Sequence, residues 1–291
     1  MGSRSTATSD PLTRVLRTRR ELRAALADSR RPVGLVPTMG WLHEGHRSLF
    51  ARARAENASS VATIFVNPRQ FNEAADYTQY PRNEARDLTM CRDEGVDLVF
   101  APSVDEVYPT GFDTIVHVGA VGRPLEGAAR PGHFDGVATV VAILFGLVKA
   151  DRAYFGQKDA QQVMVIRQMA GDLAIPTEVV ACPTIREPDG LALSSRNVHL
   201  SSEERAAAPV IHRALMAGRA AWDRAERSAD PIRSAMRSVL SEEPLAVVDY
   251  VSAADASTLA ELDRLSTPAL LSVAVRFGST RLIDNELIDP S

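Results

Sequence analysis

The sequence predicts an α/β protein, a Rossmann-like doubly wound parallel sheet followed by a smaller α+β domain, on three observations. Short apolar runs alternate with helical patterns through the first two-thirds of the chain, the signature of βαβ units. The run at 61–66 is almost continuously apolar, as a strand covered on both faces requires. Past residue 185 the order changes to helices followed by strands.

In chain order, residues 33–36 read as the first strand and 45–58 as a helix, then 61–66 as the second strand. After a long loop, 87–94 reads as helix and 98–101 as strand, 137–148 as an apolar helix, 153–155 as strand, 161–173 as helix and 178–181 as strand. The turn formers of Arg186-Glu187-Pro188-Asp189-Gly190 divide the chain into domains at 1–185 and 186–291. Ser201-Ser202-Glu203-Glu204 has a capping-box arrangement and starts a helix expected to reach Trp222. Asp230-Pro231 is expected to start another, Asp as N-cap and Pro at the first helical position, before strands at 247–251, 270–277 and 281–284.

Composition narrows the class. The net charge of the 291 residues is −4, and 45% are hydrophobic and 24% charged, the balance of an ordinary globular protein. Acidity argues against a nucleic-acid surface. The two cysteines, Cys91 and Cys182, make neither a disulfide framework nor a metal cluster, so a reducing cytoplasm is expected. The apolar run 137–148 falls short of the ~20 residues that span a bilayer. Met1–Thr6 fits an acylation pattern formally, and such short patterns match by chance. The arginines between Arg14 and Arg31 interleave with Glu21 and Asp28 and read as a solvated helix face, not a targeting segment. Of the 33 basic residues only Lys149 and Lys158 are lysines, so a lysine here stands out. Lys149 has an ordinary place at a helix C-terminus; Lys158 does not.

Four segments carry chemistry. Pro37-Thr38-Met39-Gly40-Trp41-Leu42-His43-Glu44-Gly45-His46 follows the first core strand and precedes a helix. Ligands of open parallel sheets bind there, and a helix N-terminus presents free N–H groups to anions. Gly40 and Gly45 would let a nucleotide approach the backbone, and His43 and His46 can donate to phosphoryl oxygens. Gly156-Gln157-Lys158-Asp159 repeats that placement and brings the rare lysine to the same sheet edge, where a flexible ammonium suits phosphate. Ser194-Ser195-Arg196-Asn197 is a donor-rich cluster suited to polyphosphate, with no Gly-x-Ser-x-Gly elbow that would make it a serine hydrolase. Asn67 and Gln70, after the second strand, are neutral groups able to hold hydroxyls or a carboxylate.

Together, in this order and spacing, these segments resemble the pantoate–β-alanine ligase (pantothenate synthetase) family of the cytidylyltransferase-like superfamily. The likeness extends through 37–45, 64–71, Tyr80-Pro81-Arg82, 100–109, 125–141, 151–162 and 186–197. The resemblance implies a two-step reaction: ATP and pantoate give pantoyl adenylate and pyrophosphate, then β-alanine displaces AMP. It implies an ATP site along Met39, Gly40, Trp41, Leu42, His43, Glu44, Gly45 and His46, with His46 as proton donor. Gly156, Gln157, Lys158 and Asp159 would contact the nucleotide, Ile185 would lie near adenine, and Leu193, Ser194, Ser195 and Arg196 would close over the triphosphate. Gln70 and Gln162 would hold pantoate with Asn67 in support, Gln70 bordering the β-alanine position as well.

Mg²⁺ is expected to arrive with ATP, with Asp87 a candidate indirect ligand, and a homodimer is expected. Trp41 replaces a usually small residue and Leu193 a usual methionine, a volume-conserving change. The second domain is expected to close as a lid pivoting near Glu187–Gly190, keeping water from the adenylate. The competing readings are another nucleotidyl-transferring enzyme of the same fold and a nucleotide-binding regulator without catalysis.

Overall fold

The computed structural model describes residues 13–72 and 74–289; the Met1–Thr6 pattern lies outside them. Strand β1 (Arg14–Leu16) and helix α1 (Arg19–Ala27) open the chain, then β2 (Val33–Thr38), α2 (Glu44–Glu56) and β3 (Ser59–Ile64). Helices α3 (Ala74–Gln79) and α4 (Glu84–Asp93) lead to β4 (Leu98–Phe100). Short helices α5 (Val104–Val107) and α6 (Glu126–Ala129) precede α7 (His133–Val148), β5 (Arg152–Gly156), α8 (Ala160–Asp172) and β6 (Glu178–Cys182). The six strands pair in the order β1-β4-β3-β2-β5-β6, all parallel. From β2 the chain turns to β3 on one side and later to β5 on the other, so the crevice at the C-terminal end of β2 is a topological switch point.

Alternation along each strand divides the core into two faces. Leu35, Val61, Phe100 and Phe155 pack with α1, α7 and α8 on one side. Val36, Ala62, Val99 and Tyr154 pack with Phe50 of α2 and Cys91 of α4 on the other. This is the doubly wound arrangement the apolar runs predict. Helix α7 is buried along most of its length within this chain, against α1, α8 and β2, leaving Ala142, Ile143, Gly146 and Leu147 partly or fully exposed. Its apolar circumference is therefore largely explained by intramolecular packing. Gly136 lets α7 lie directly on the turn Pro68–Gln70, since a Cβ there would stand 2.2 Å from the Arg69 carbonyl oxygen.

The second unit packs α10 (Val210–Asp223) and α11 (Ala229–Ser241), with α9 (Ser202–Ala207) before them, on an antiparallel sheet β7 (Val247–Asp255), β8 (Ala269–Phe277) and β9 (Thr280–Ile288).

Three local readings need correction. The Arg14–Arg31 stretch holds a strand as well as a helix. At three residues β1 is too short to show a period, and pairing with β4 defines it. The helix expected from Ser201 to Trp222 is two helices broken at Ala208-Pro209, because proline cannot donate and crowds the preceding turn. Its capping box at Ser201 and Glu204 does form. Helix α11 begins at Ala229 with Ser228 as N-cap, so Asp230 sits in the first turn, where its carboxylate takes Arg233 at 2.8 Å.

Candidate active site

A cavity of about 260 Å³ opens at the C-terminal ends of β2, β3 and β5. Its floor is set by an unusual cap on α2. His43 is the N-cap residue, and its ring Nδ1 accepts the Gly45 backbone N–H at 3.1 Å. The ring of His46 returns the bond, its Nδ1 accepting the His43 backbone N–H at 3.3 Å. The ring centroids stand 4.2 Å apart. A nitrogen that accepts carries no proton, so each neutral ring keeps its hydrogen on Nε2. Burial first, and the Lys158 charge second, push His43 down to about 4. Burial and then His43 push His46 down to about 3. The pair is neutral and offers two N–H donors to the cavity. The proton-donor role that the resemblance implies for His46 would in this arrangement fall to the Nε2–H of a neutral ring rather than to an imidazolium.

Two glycines, expected from sequence to let a nucleotide approach, are required by the loop and cap themselves, and Gly45 also lines the cavity. A Cβ on Gly45 would stand 2.8 Å from the His43 ring. Gly40 has φ +82, and a Cβ there would meet Asp87 Oδ2 at 2.8 Å. Asp87 is buried and its oxygens accept the Trp41 and Leu42 backbone N–H groups, each at 2.8 Å. It is therefore committed to shaping the loop that delivers His43, which leaves it poorly placed as a metal ligand.

On the side formed by the β3 loop and α7, Asn67 is buried with both ends engaged. Its Nδ2 donates to Gln70 Oε1 and to the Gly136 carbonyl, both at 3.1 Å, while its Oδ1 accepts from Tyr108 Oη at 2.7 Å and the Arg69 N–H at 3.2 Å. With its capacity spent inside the protein, Asn67 orients Gln70. Gln70 Nε2 meets Met39 Sδ at 2.8 Å. His133 holds the Gln70 carbonyl through Nδ1 at 2.8 Å and takes Arg130 Nη1 on Nε2 at 3.2 Å. Gln162 faces the cavity with Phe71 and the α7 side chains Val137, Val140 and Val141.

On the opposite side stand Lys158, Asp159, Ser194, Ser195 and Arg196, with Gly156, Ile185 and Leu193. Lys158 Nζ lies 3.5 Å from Asp159. Burial opposes the ionised Asp159, yet Lys158 and Arg196 hold its carboxyl below the usual range. The serine–arginine cluster thus has an acceptor charge nearby that the sequence did not reveal. Ser194 Oγ accepts the Arg196 N–H at 3.3 Å, and Ser195 hydrogen-bonds Tyr80, whose burial raises its pKa. Burial and then Arg196 push Arg130 down to about 10, still a cation at neutral pH. Arg130, Lys158 and Arg196 against one carboxylate make the wall electropositive.

Five expected ATP-site residues lie off this wall. Gly40 and the buried Leu42 belong to the Asp87 loop. Trp41 packs its ring under Arg86 at 5.1 Å and is not among the residues that line the cavity. Glu44 points to solvent and pairs with Arg47 at 3.3 Å. Gln157 turns to Asn285, at 3.3 Å. Sequence reasoning missed Tyr80, Arg130 and His133 as wall residues. The Pro131-Gly132 turn before His133 is the signal that could have flagged the last two, since it places a histidine at a helix start just as the first motif does.

A family model described as pantoate-beta-alanine ligase matches residues 14–287. The pantothenate synthetase of Roseiflexus sp. (strain RS-1) is 58% identical over 276 residues, covering 95% of this chain and 99% of its own. That of Chloroflexus aggregans is 58% identical over 257 residues, 88% of this chain and 93% of the relative. The crystal structure of pantothenate synthetase from Thermus thermophilus superposes with a TM-score of 0.92 at 50% identity, over 96% of this chain and all (100%) of that one. The pantoate-beta-alanine ligase of Francisella tularensis, solved in complex with beta-gamma ATP and beta-alanine, gives 0.77 at 33% identity over 96% and 100%.

The histidine cap has a thermodynamic consequence. Burial and then Arg130 lower His133 to about 4 as well, so the three site histidines have folded-state values below the unfolded 6.5, and burial lowers His212 too. Between 6.5 and the lowered values the unfolded chain binds more protons. Stability is therefore full above 6.5 and falls as pH drops, by at most about 1.4 kcal/mol per pH unit for each histidine. Denaturant unfolding from about pH 7 to about pH 5 should show this decline, and His46→Asn should make it shallower. A wild-type profile flat across that range would contradict the neutral cap.

Proposed function

This chain belongs to the pantoate–β-alanine ligase family, and we propose on that premise how its residues divide the ATP-dependent condensation of pantoate with β-alanine. A carboxylate oxygen of pantoate attacks the α-phosphorus, the bond to the β-phosphate oxygen breaks, and pyrophosphate leaves. The β-alanine amine then attacks the acyl carbon, AMP leaves with the bonding pair, and the amine gives up a proton. Both steps demand positioning and charge neutralisation more than a protein nucleophile.

Gln70, fixed by Asn67 and His133, and Gln162 bind the polar groups of pantoate, while the valines of α7 cover its dimethyl carbon. Gln70 also borders the place of β-alanine. His43 and His46 donate Nε2–H to phosphate oxygens, Lys158 and Arg196 neutralise charge that builds on the departing pyrophosphate, and Ser194 and Ser195 complete the cradle. Ile185 and Leu193 line the adenine end. Mg²⁺ enters as part of the nucleotide. Among the described residues no group of three His, Cys, Asp or Glu could hold a metal, a donor set that fits an ion carried by phosphates and water. The observation that carries this reading is one cavity in which neutral amides and an apolar wall face Lys158 and Arg196, with Arg130 held beside the amides by His133 and the Gln70 carbonyl.

The free, buried thiols of Cys91 and Cys182 fit a cytoplasmic setting. Closure of the second unit excludes water. Arg205 grips both Glu187 and Asp189, at 2.8 and 2.7 Å, and Asp284 of β9 grips Arg186, so residues 186–190 move with the second unit and the pivot lies before them, at 183–185. The partly exposed seam of Ala142, Ile143, Gly146 and Leu147 supports a homodimer.

Two measurements check these assignments. Isotope exchange between pyrophosphate and ATP should require pantoate and proceed without β-alanine, and Lys158→Ala should slow it by about a hundredfold with its unfolding midpoint nearly unchanged. Pantoate-independent exchange, or full activity in the variant, would refute the scheme. Small-angle scattering should show a dimer that contracts on adding ATP, and Ile143→Glu should give monomers. An unchanged profile would rule out closure, and a dimeric variant would rule out this seam.

A further inference from the structure

One strand of the second unit reaches two of the three cation-bearing segments of the site, those of Lys158 and Arg196. Asn285 of β9 is 6% exposed. Its Nδ2 donates to the carbonyl oxygens of Gln157 at 3.0 Å and Lys158 at 2.8 Å, and its Oδ1 accepts from Gln157 Nε2 at 3.3 Å. The neighbouring Asp284, 3% exposed, takes the Arg186 guanidinium through both oxygens, Oδ1 at 3.1 Å. Successive strand residues point to opposite sides, so β9 grips the turn that carries Lys158 with one residue and the root of the segment that carries Arg196 with the next. Arg186 bridges to Ala192, directly before Leu193–Arg196.

The lysine turn joins β5 to α8, and the ammonium itself has Asp159 at 3.5 Å. Gln157–Asp159 is a single 3-10 turn without a side-chain cap, and Gly156 before it borders open space. A lysine side chain has four rotatable bonds, so where its ammonium spends time depends on where its backbone is held. An amide is also the right clamp electrically, since it supplies two donors to two carbonyls and adds no charge beside the ammonium.

We propose that Asn285 is a positioning residue for Lys158, and that the second unit thereby sets the phosphate-binding cation as well as covering the site. The proposal rests on the phosphate role assigned to Lys158 above. It predicts coupling: Asn285 should matter to the first half-reaction only while Lys158 is present.

The test compares pantoate-dependent pyrophosphate–ATP exchange in the full-length wild type, Asn285→Leu, Lys158→Ala and the double variant. Asn285→Leu keeps the volume and removes both donors. It should slow exchange about tenfold and raise the KM for ATP, with the KM for pantoate unchanged. On the Lys158→Ala background the same change should cost less than about twofold. Equal factors on both backgrounds would overturn the proposal and leave the phosphate role of Lys158 standing. Wild-type exchange in Lys158→Ala alone would remove that role, and the proposal with it. Asn285→Asp, the same shape with acceptors for donors, should be no better than Asn285→Leu; wild-type exchange in it would also overturn the proposal. If Asn285→Leu does not fold, Asn285→Ser withdraws the amide instead and should give the same pattern.

Discussion

The reciprocal cap of His43 and His46 is the constraint from which the site follows. One hydrogen bond in each direction between ring nitrogens and backbone N–H groups spends two orphan donors of a helix N-terminus. It also fixes both imidazoles as neutral and leaves both Nε2–H groups for a ligand. A Ser/Thr–Glu box would close the helix equally well and offer the phosphates nothing. The cost is local: Gly45 must lack a side chain so that the ring can fold back over it, and the preceding loop needs positive φ at Gly40 and the buried Asp87 to hold its amides.

That neutrality shapes the electrostatics. Two imidazolium ions buried beside Lys158 would repel it and each other, so the charge on the wall comes from Lys158, Arg130 and Arg196, moderated by Asp159. The amide-and-valine side across the cavity carries one of these charges, Arg130, held by His133 and the Gln70 carbonyl. The doubly wound sheet supplies this division for geometric reasons. The β2 and β5 loops present the phosphate side, and the β3 loop lies against α7, with Gly136 permitting the contact.

Much of this was legible in the sequence because position carried it. A His-x-Gly-His run between an apolar strand and a helix could be placed at a sheet edge without coordinates, and Lys158 drew notice because lysine is scarce in this chain. Lys149, by contrast, sits exposed at the C-cap of α7, as its place at a helix end implied. What could not be read was direction. Asn67 looks like a ligand-binding amide, yet its polar atoms turn inward to Gln70, Gly136 and Tyr108. Asp87, Arg130 and His133 meet the site only through long-range packing, and neither Trp41 nor Gln157 betrays by its neighbours that it faces away. Local pattern gives the period of an element; which of two polar ends faces a cavity depends on partners dozens of residues distant.

The state of the two rings decides the account. Nitrogen-15 NMR of histidine-labelled protein near neutral pH distinguishes the two neutral tautomers and the imidazolium. The cap predicts that the signals lost in His43→Asn and His46→Asn belong to neutral rings protonated on Nε2. Signals from an imidazolium, or from rings protonated on Nδ1, would contradict it, because neither can accept the backbone N–H groups on which the helix start is built.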